Sequence, residues 1–187
     1  METVSYKGIE IEINVDDYPS NPRVDWNNAG AMFCRHGSYD LGDSDHGIDD
    51  SECQSWSDVE DLIIKKKKPL VILPLYLYDH SGITINTTGF SCQWDSGQVG
   101  WTYITKAMCK NMGIDATDIE NLIKVLINEV ETYDDYISGN AYGFSISNEL
   151  VEDSCSGYFG YDHEKSGLLD DARAAIDGAL SSASKSA

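Results

Sequence analysis

The chain has 187 residues, 41 % of them hydrophobic, with 4 Trp, 11 Tyr and 4 Phe, enough to bury a core and too apolar for wholesale disorder. Thirteen Lys and Arg against 32 Asp and Glu leave a formal charge of −19. So few bases exclude a groove that grips nucleic acid and an anionic membrane surface, and no apolar run approaches the length of a membrane span.

The first residues, Met1-Glu2-Thr3-Val4-Ser5-Tyr6-Lys7, show no basic region followed by an apolar core. No signal peptide is expected, and the protein is expected in the cytoplasm. Residues 3–15 read as a hairpin: Ile9, Ile11, Ile13 and Val15 alternate with polar residues, and Lys7-Gly8 supplies the turn. Residues 16–23 hold two prolines and form a loop. Residues 25–39 follow no clean period. Residues 40–55 are rich in Gly, Asp and Ser, which predicts an exposed loop.

Ser57-Asp58-Val59-Glu60 matches a capping box, with Val59, Leu62 and Ile63 following at helical spacing. Four lysines, Lys65 to Lys68, suit the negative end of that helix, and Pro69 stops it. Residues 70–78 read as a buried strand, 79–82 as a turn, 83–88 as its return strand and 97–105 as another strand. Residues 106–112 read as a short helix closed by Gly113. Thr117-Asp118-Ile119-Glu120 is a second capping box, opening the best helix of the chain. On it Ile119, Leu122, Ile123, Leu126, Ile127, Val130, Tyr133 and Ile137 share a face. Residues 141–147 form a strand and 157–161 are a candidate for one more. Residues 166–180 form a terminal helix with Leu168, Leu169, Ala172, Ile176 and Ala179 on one side. Hairpin turns dominate and no regular βαβ rhythm exists, which predicts an α+β fold with a mainly antiparallel sheet, a long amphipathic helix and a C-terminal helix. One domain is expected over residues 1–180, with 181–187 a disordered tail.

Half of the acids, sixteen of 32, lie in two segments without a single Lys or Arg. The first holds Asp40, Asp43, Asp45, Asp49, Asp50, Glu52, Asp58, Glu60 and Asp61; the second holds Glu129, Glu131, Asp134, Asp135, Glu149, Glu152 and Asp153. Like charges so concentrated repel and reduce stability. Plain solvation is one reason to keep them; a cationic partner is another. Carboxylates three or four positions apart on a helix have Cβ atoms roughly 5–6 Å apart, a spacing comparable to neighbouring phosphates. Glu131, Asp134 and Asp135 meet it. On the long helix the acids nevertheless flank the apolar face instead of forming one stripe.

Signals for chemistry are sparse. Asp43, Asp45 and Asp49 echo the start of a calcium loop, but Gln54 stands where the closing Glu belongs. Cys34 and His36 share a side of an extended segment, and His46, His80 and Cys92 are further candidate ligands or nucleophiles without a local signature. Adjacent Asp79-His80-Ser81 cannot adopt triad geometry. Five cysteines, an odd number without a C-x-x-C pair, disfavour a zinc knuckle or a disulfide framework and read as free thiols. The aromatic run from Trp94 to Tyr103 reads as core packing.

Three stretches, residues 21–43 (with Pro22-Arg23-Val24-Asp25-Trp26-Asn27), 73–100 (with Leu73-Pro74-Leu75-Tyr76-Leu77-Tyr78-Asp79-His80-Ser81-Gly82) and 153–160, together resemble a family of acidic proteins carried by bacteriophages and mobile elements. The family pattern near the start reads Pro-Arg-x-Trp-Asp-Asn; here Asp25 stands as an extra residue before Trp26. The resemblance implies no catalytic residue. It implies a setting in which small acidic phage proteins disarm restriction enzymes or CRISPR complexes, often by imitating DNA. The expected function is therefore a phage-encoded, non-enzymatic inhibitor that docks on a basic nucleic-acid-binding host defence protein. Its partner-binding residues would be Asp40, Asp43, Asp45, Asp49, Asp50, Glu52, Asp58, Glu60, Asp61, Glu129, Glu131, Asp134 and Asp135. No cofactor, metal, membrane or direct nucleic-acid contact is expected, and a homodimer stays open. The alternative is a Cys/His- or metal-dependent hydrolase built on Cys34, His36, His80 or Cys92; a virion scaffold is a third.

Overall fold

The computed structural model describes residues 2–186. In chain order its elements are β1 (Glu2–Tyr6), β2 (Ile9–Val15), α1 (Pro22–Asp25), β3 (Ala31–Cys34), α2 (Trp56–Lys67), β4 (Val71–Asp79), β5 (Ile83–Asn86), β6 (Ser96–Ile104), α3 (Lys106–Met112), α4 (Ile119–Ile137), β7 (Ala141–Ser147), β8 (Glu152–Phe159) and α5 (Leu168–Ser186). The fold is α+β, with two four-stranded antiparallel sheets. The single domain expected over residues 1–180 resolves into two compact units: a terminal unit made from both chain ends, and a central unit, Asn21–Ser138.

The terminal unit holds the sheet β1-β2-β7-β8. Lys7 and Gly8 have φ of 52° and 80°, the pair of left-handed residues that a two-residue hairpin turn requires. Because strand side chains alternate, Ile9, Ile11, Ile13, Phe144 and Ile146 bury one face under α5, against Leu168, Leu169, Ala172 and Ile176. The other face is wet: Thr3, Glu12, Ser145 and Ser154 form one cross-strand row of polar residues. The fourth strand is longer at its start than the 157–161 expectation, because Asn148 and Val151 close a tight turn by exchanging backbone hydrogen bonds. Helix α5 runs on to Ser186, through most of the stretch expected to be disordered; Ala187 lies outside the described residues.

The central unit holds the sheet β3-β6-β4-β5 between two helices. Alternation again decides the sides. Met32, Leu75, Leu77 and Ile104 meet Leu122, Leu126, Val130 and Tyr133 of α4, while Phe33, Trp101 and Tyr103 meet Val59 and Ile63 of α2. Strands β3 and β6 approach so closely at Gly100 that a Cβ there would lie 1.9 Å from the Phe33 carbonyl oxygen, so only glycine fits.

Two caps move from their expected positions. Helix α2 starts at Trp56 with Ser55 as its cap: Asp58 N–H donates to Ser55 Oγ (3.2 Å) and Ser55 N–H donates to Asp58 Oδ2 (2.8 Å). Ser55-x-x-Asp58 and Ser57-x-x-Glu60 both satisfy the local rule, and packing of Trp56 on the Phe33 cluster selects the earlier one. Helix α4 is capped by Asp118, whose Oδ1 accepts from Asn121 N–H at 3.0 Å, so Ile119 falls in the exposed first turn rather than on the buried face. Segment 40–55 is irregular as expected but not simply exposed. It wraps the outer side of β3, with Leu41 buried among the α4 contacts and Ile48 among those of α2.

Candidate functional site

The first acidic residues of the two base-free segments that meet in space are Asp43 and Glu129, and they meet at a base. Arg23 is the second residue of the short helix α1, and its side chain is only 1 % exposed. Its Nε donates to Asp43 Oδ1 (2.8 Å) and Nη2 to Asp43 Oδ2 (3.0 Å), a two-pronged pair. Nη1 donates to Glu129 Oε2 (3.2 Å) and Nη2 also to the Gly30 carbonyl (2.9 Å). Glu129 further accepts the Ala29 and Gly30 N–H groups, so loop 27–30 is tied to α4. Burial opposes the charge on Arg23, yet Asp43 and Glu129 hold its pKa above the ordinary value. Burial pushes Glu129 up, against the opposing pull of the Ala29 N–H and Arg23.

Asp43 has a second task. On the outer edge of β3, Met32 N–H donates to Asp43 Oδ2 (2.7 Å) and Asp43 N–H donates to the Met32 carbonyl (2.9 Å). At the opposite edge, Ile85 N–H of β5 and Thr84 Oγ1 both donate to Asp134 Oδ1 (2.7 Å each), and Ser138 Oγ donates to the Ile83 carbonyl (2.9 Å). Each edge of the central sheet is thus blocked by an aspartate, which leaves no open ladder for another strand at those positions.

Asp43, Glu129 and Asp134 are therefore corrections to the expected interaction surface: their carboxylates are turned into the fold. Asp58 caps α2, and Asp50 accepts from Arg35 Nη1 at 2.7 Å. Glu60 and Asp135 are half-buried. Asp40, Asp45, Asp49, Glu52, Asp61 and Glu131 stay exposed, and none of the six is in an ion pair among the described residues. They do not form one stripe. Asp49, Glu52, Asp58 and Asp61 line an open groove of about 590 Å³ beside α2, with Lys65 and Lys66 at its rim. Glu131 belongs to α4, on the opposite side of the sheet. Glu149, Glu152 and Asp153 of the second segment belong to the terminal unit.

The cysteine and histidine candidates are scattered. Cys34 is half-buried beside Gly42 and Asp43, and desolvation of its thiol, with the Asp43 charge, pushes it up to about 12, which disfavours a thiolate. His36 turns away from it: the ring stacks on Tyr39 (5.0 Å between centres) and Nδ1 accepts from Ser38 N–H. His46 packs edge-on against Phe33. His80 Nδ1 and Cys92 Sγ each lie 3.5 Å from Asp95 Oδ2, which puts the carboxylate between thiol and imidazole and not the imidazole between the other two. Among the described residues no three His, Cys, Asp or Glu side chains group as a metal site, and Asp43, the first member of the candidate calcium loop, faces Arg23.

Comparison of the chain with protein-family models, curated proteins and solved structures finds no match. Among the described residues no helix is long and apolar enough to cross a membrane.

One group of side chains escapes any sequence rule. Beyond the ends of β4 and β6, a cleft of about 380 Å³ is lined by His36, Asp79, Trp94, Asp95 and Gln98, and no Lys or Arg is among its lining residues. Trp94 is 96 % exposed, whereas Trp101 of the same aromatic run is core. This corrects the core-packing expectation for the run Trp94 to Tyr103: Trp101 and Tyr103 lie inside β6 and are core, whereas Trp94 stands before the strand starts at Ser96 and faces water.

Proposed function

We propose that the protein is a phage-encoded, non-enzymatic inhibitor acting in the host cytoplasm, where it docks by charge on the basic nucleic-acid-binding site of a host defence protein. The observation that supports this most is the set of exposed carboxylates Asp40, Asp45, Asp49, Glu52, Asp61 and Glu131 on a chain of net charge −19. Their distribution over both sides of the central sheet favours charge-complementary docking over imitation of a regular phosphate track. Such an interface releases counterions from the basic partner and weakens steeply with salt.

The test is protection. Cells carrying restriction or CRISPR systems express the chain, and plating of a phage sensitive to each system is measured. The wild type restores plating against at least one system. The variant with Asp40, Asp45, Asp49, Asp61→Asn and Glu52, Glu131→Gln does not, although circular dichroism shows it folded. Equal protection by that variant, or no protection against any system in the panel, overturns the reading.

A further inference from the structure

The central unit already contains one worked case of arginine recognition. The Arg35 guanidinium lies 5.0 Å from the ring centre of Trp56, and its Nη1 donates to Asp50 at 2.7 Å. An indole face supplies the attraction of a π-cloud for a cation, and a carboxylate supplies directed acceptors. The cleft beyond the ends of β4 and β6 holds the same two ingredients without the arginine. Trp94 offers an exposed indole, and Asp79, the last residue of β4, is held to Asp95, just before β6, by Asp79 N–H donating to the Asp95 carbonyl at 2.8 Å.

The carboxylates of this cleft are oriented but not neutralised by a strong base. Tyr39 OH donates to Asp79 Oδ1 (3.2 Å), while Asp95 meets the Cys92 thiol and the His80 ring, which is neutral unless protonated. The groove beside α2 differs: its acids share their rim with Lys65 and Lys66. At about 380 Å³ the cleft lies at the small end of ligand pockets (roughly 300–1,000 Å³), which suits one side chain better than a folded ligand.

We infer that the cleft formed by Asp79, Trp94 and Asp95 is an anchor for a single arginine side chain of a cationic partner protein, with the guanidinium laid on the Trp94 indole and its N–H groups directed at the two carboxylates. Arginine is preferred over lysine because its planar fork both stacks and donates to two acceptors, whereas an ammonium is a compact, strongly hydrated charge. This deepens the docking reading above and rests on it for the partner's identity, but not for the chemistry of the cleft.

The experiment needs no defence protein. The full chain is labelled with ¹⁵N, and its indole N–H signals are followed during titration with three blocked tripeptides, Gly-Arg-Gly, Gly-Lys-Gly and Gly-citrulline-Gly. The arginine peptide moves the Trp94 signal saturably, with an affinity in the millimolar range expected of one side chain. The lysine peptide binds several-fold more weakly, and the uncharged citrulline peptide weaker still. Trp94→Ala, followed through the backbone N–H signals of Asp79 and Asp95, weakens arginine binding by roughly threefold or more, the loss expected for an exposed cation–π contact, and Asp95→Asn weakens it as well while the indole signals outside the cleft keep their positions. Equal response to arginine and lysine, or an arginine titration that leaves Trp94 unmoved, overturns the anchor. Neither outcome touches the plating test of the six exposed carboxylates, all of which lie outside this cleft.

Discussion

The two units use the same sheet, four antiparallel strands, and treat charge in opposite ways. The central unit buries it: Arg23 sits inside with Asp43 and Glu129, and aspartates block both sheet edges. The terminal unit keeps its charges outside. Lys7–Asp177 and Arg173–Glu164 are surface pairs, and what holds the sheet is one apolar face under α5. Helices cover both faces of the central sheet, so its loops must close around edges, and polar groups there lose water and need partners. The terminal sheet leaves one face wet and has no such demand. A strongly negative composition therefore does not translate into a uniformly negative surface.

Removing the buried base should be the largest way to break this contrast. Arg23→Ala leaves two carboxylates without their partner and is expected to lower the stability of the central unit by about 3–5 kcal/mol, read from urea unfolding. Arg173→Ala, which breaks surface ion pairs and a contact with the Tyr6 ring in the terminal unit, should shift the midpoint far less. Equal effects of the two would mean that the Arg23 cluster is not a clamp.

The terminal unit should instead fail through its apolar face. Ile176→Ala opens a hole against Ile11 and Phe144 and is expected to cost about 2–5 kcal/mol. Hydrogen exchange should place the lost protection on β2 and β7.

A third variant sharpens the role of acids at sheet edges. Asp134→Ala strands the Ile85 N–H and should cost about 1–3 kcal/mol. It also uncovers the β5 edge, so light scattering should detect self-association that the wild type lacks; a monodisperse variant would remove the edge-blocking role.

The smallest expected effect is the sign of the pH response. Burial raises Glu129, so its contribution to stability is complete below the ordinary carboxylate range and is lost as pH rises through the folded value. The side-chain bond from Lys7 lowers Asp177, so its contribution is present above that range and is lost as pH falls through the folded value. From about pH 4.5 to 6.5 the wild type should lose ground against Glu129→Gln, and as pH falls below about 4 it should lose its advantage over Asp177→Asn, in matched urea curves.

Local sequence carried the element types. Alternation at Ile9, Ile11 and Ile13, the helical spacing from Leu122 to Tyr133 and the Lys7-Gly8 turn each depend on contacts within a few residues, and those survive in any fold that buries one side. Where two local solutions compete, as with Ser55 and Ser57, distant packing chose. The candidate surface was legible only as a count of acids. Direction was not: Asp43 and Asp45 are both acids in a loop, yet one is clasped to Arg23 and the other is exposed. Glu131 and Asp134 differ in the same way: Asp134 reaches the edge of β5, while Glu131 is exposed.

The charge of −19, from 32 acids against 13 bases, was thus a property of the sequence alone. Which carboxylates face water was decided by the tertiary structure, because a carboxylate is drawn inward wherever burial leaves a guanidinium or a backbone N–H without water. Those donors come from segments such as residues 20–32 and β5, about 100 and 50 positions away from the acids that meet them. The same holds for Trp94: its indole is identical in sequence terms to that of Trp101, and only its place in a turn at the end of the sheet leaves it exposed beside Asp79 and Asp95.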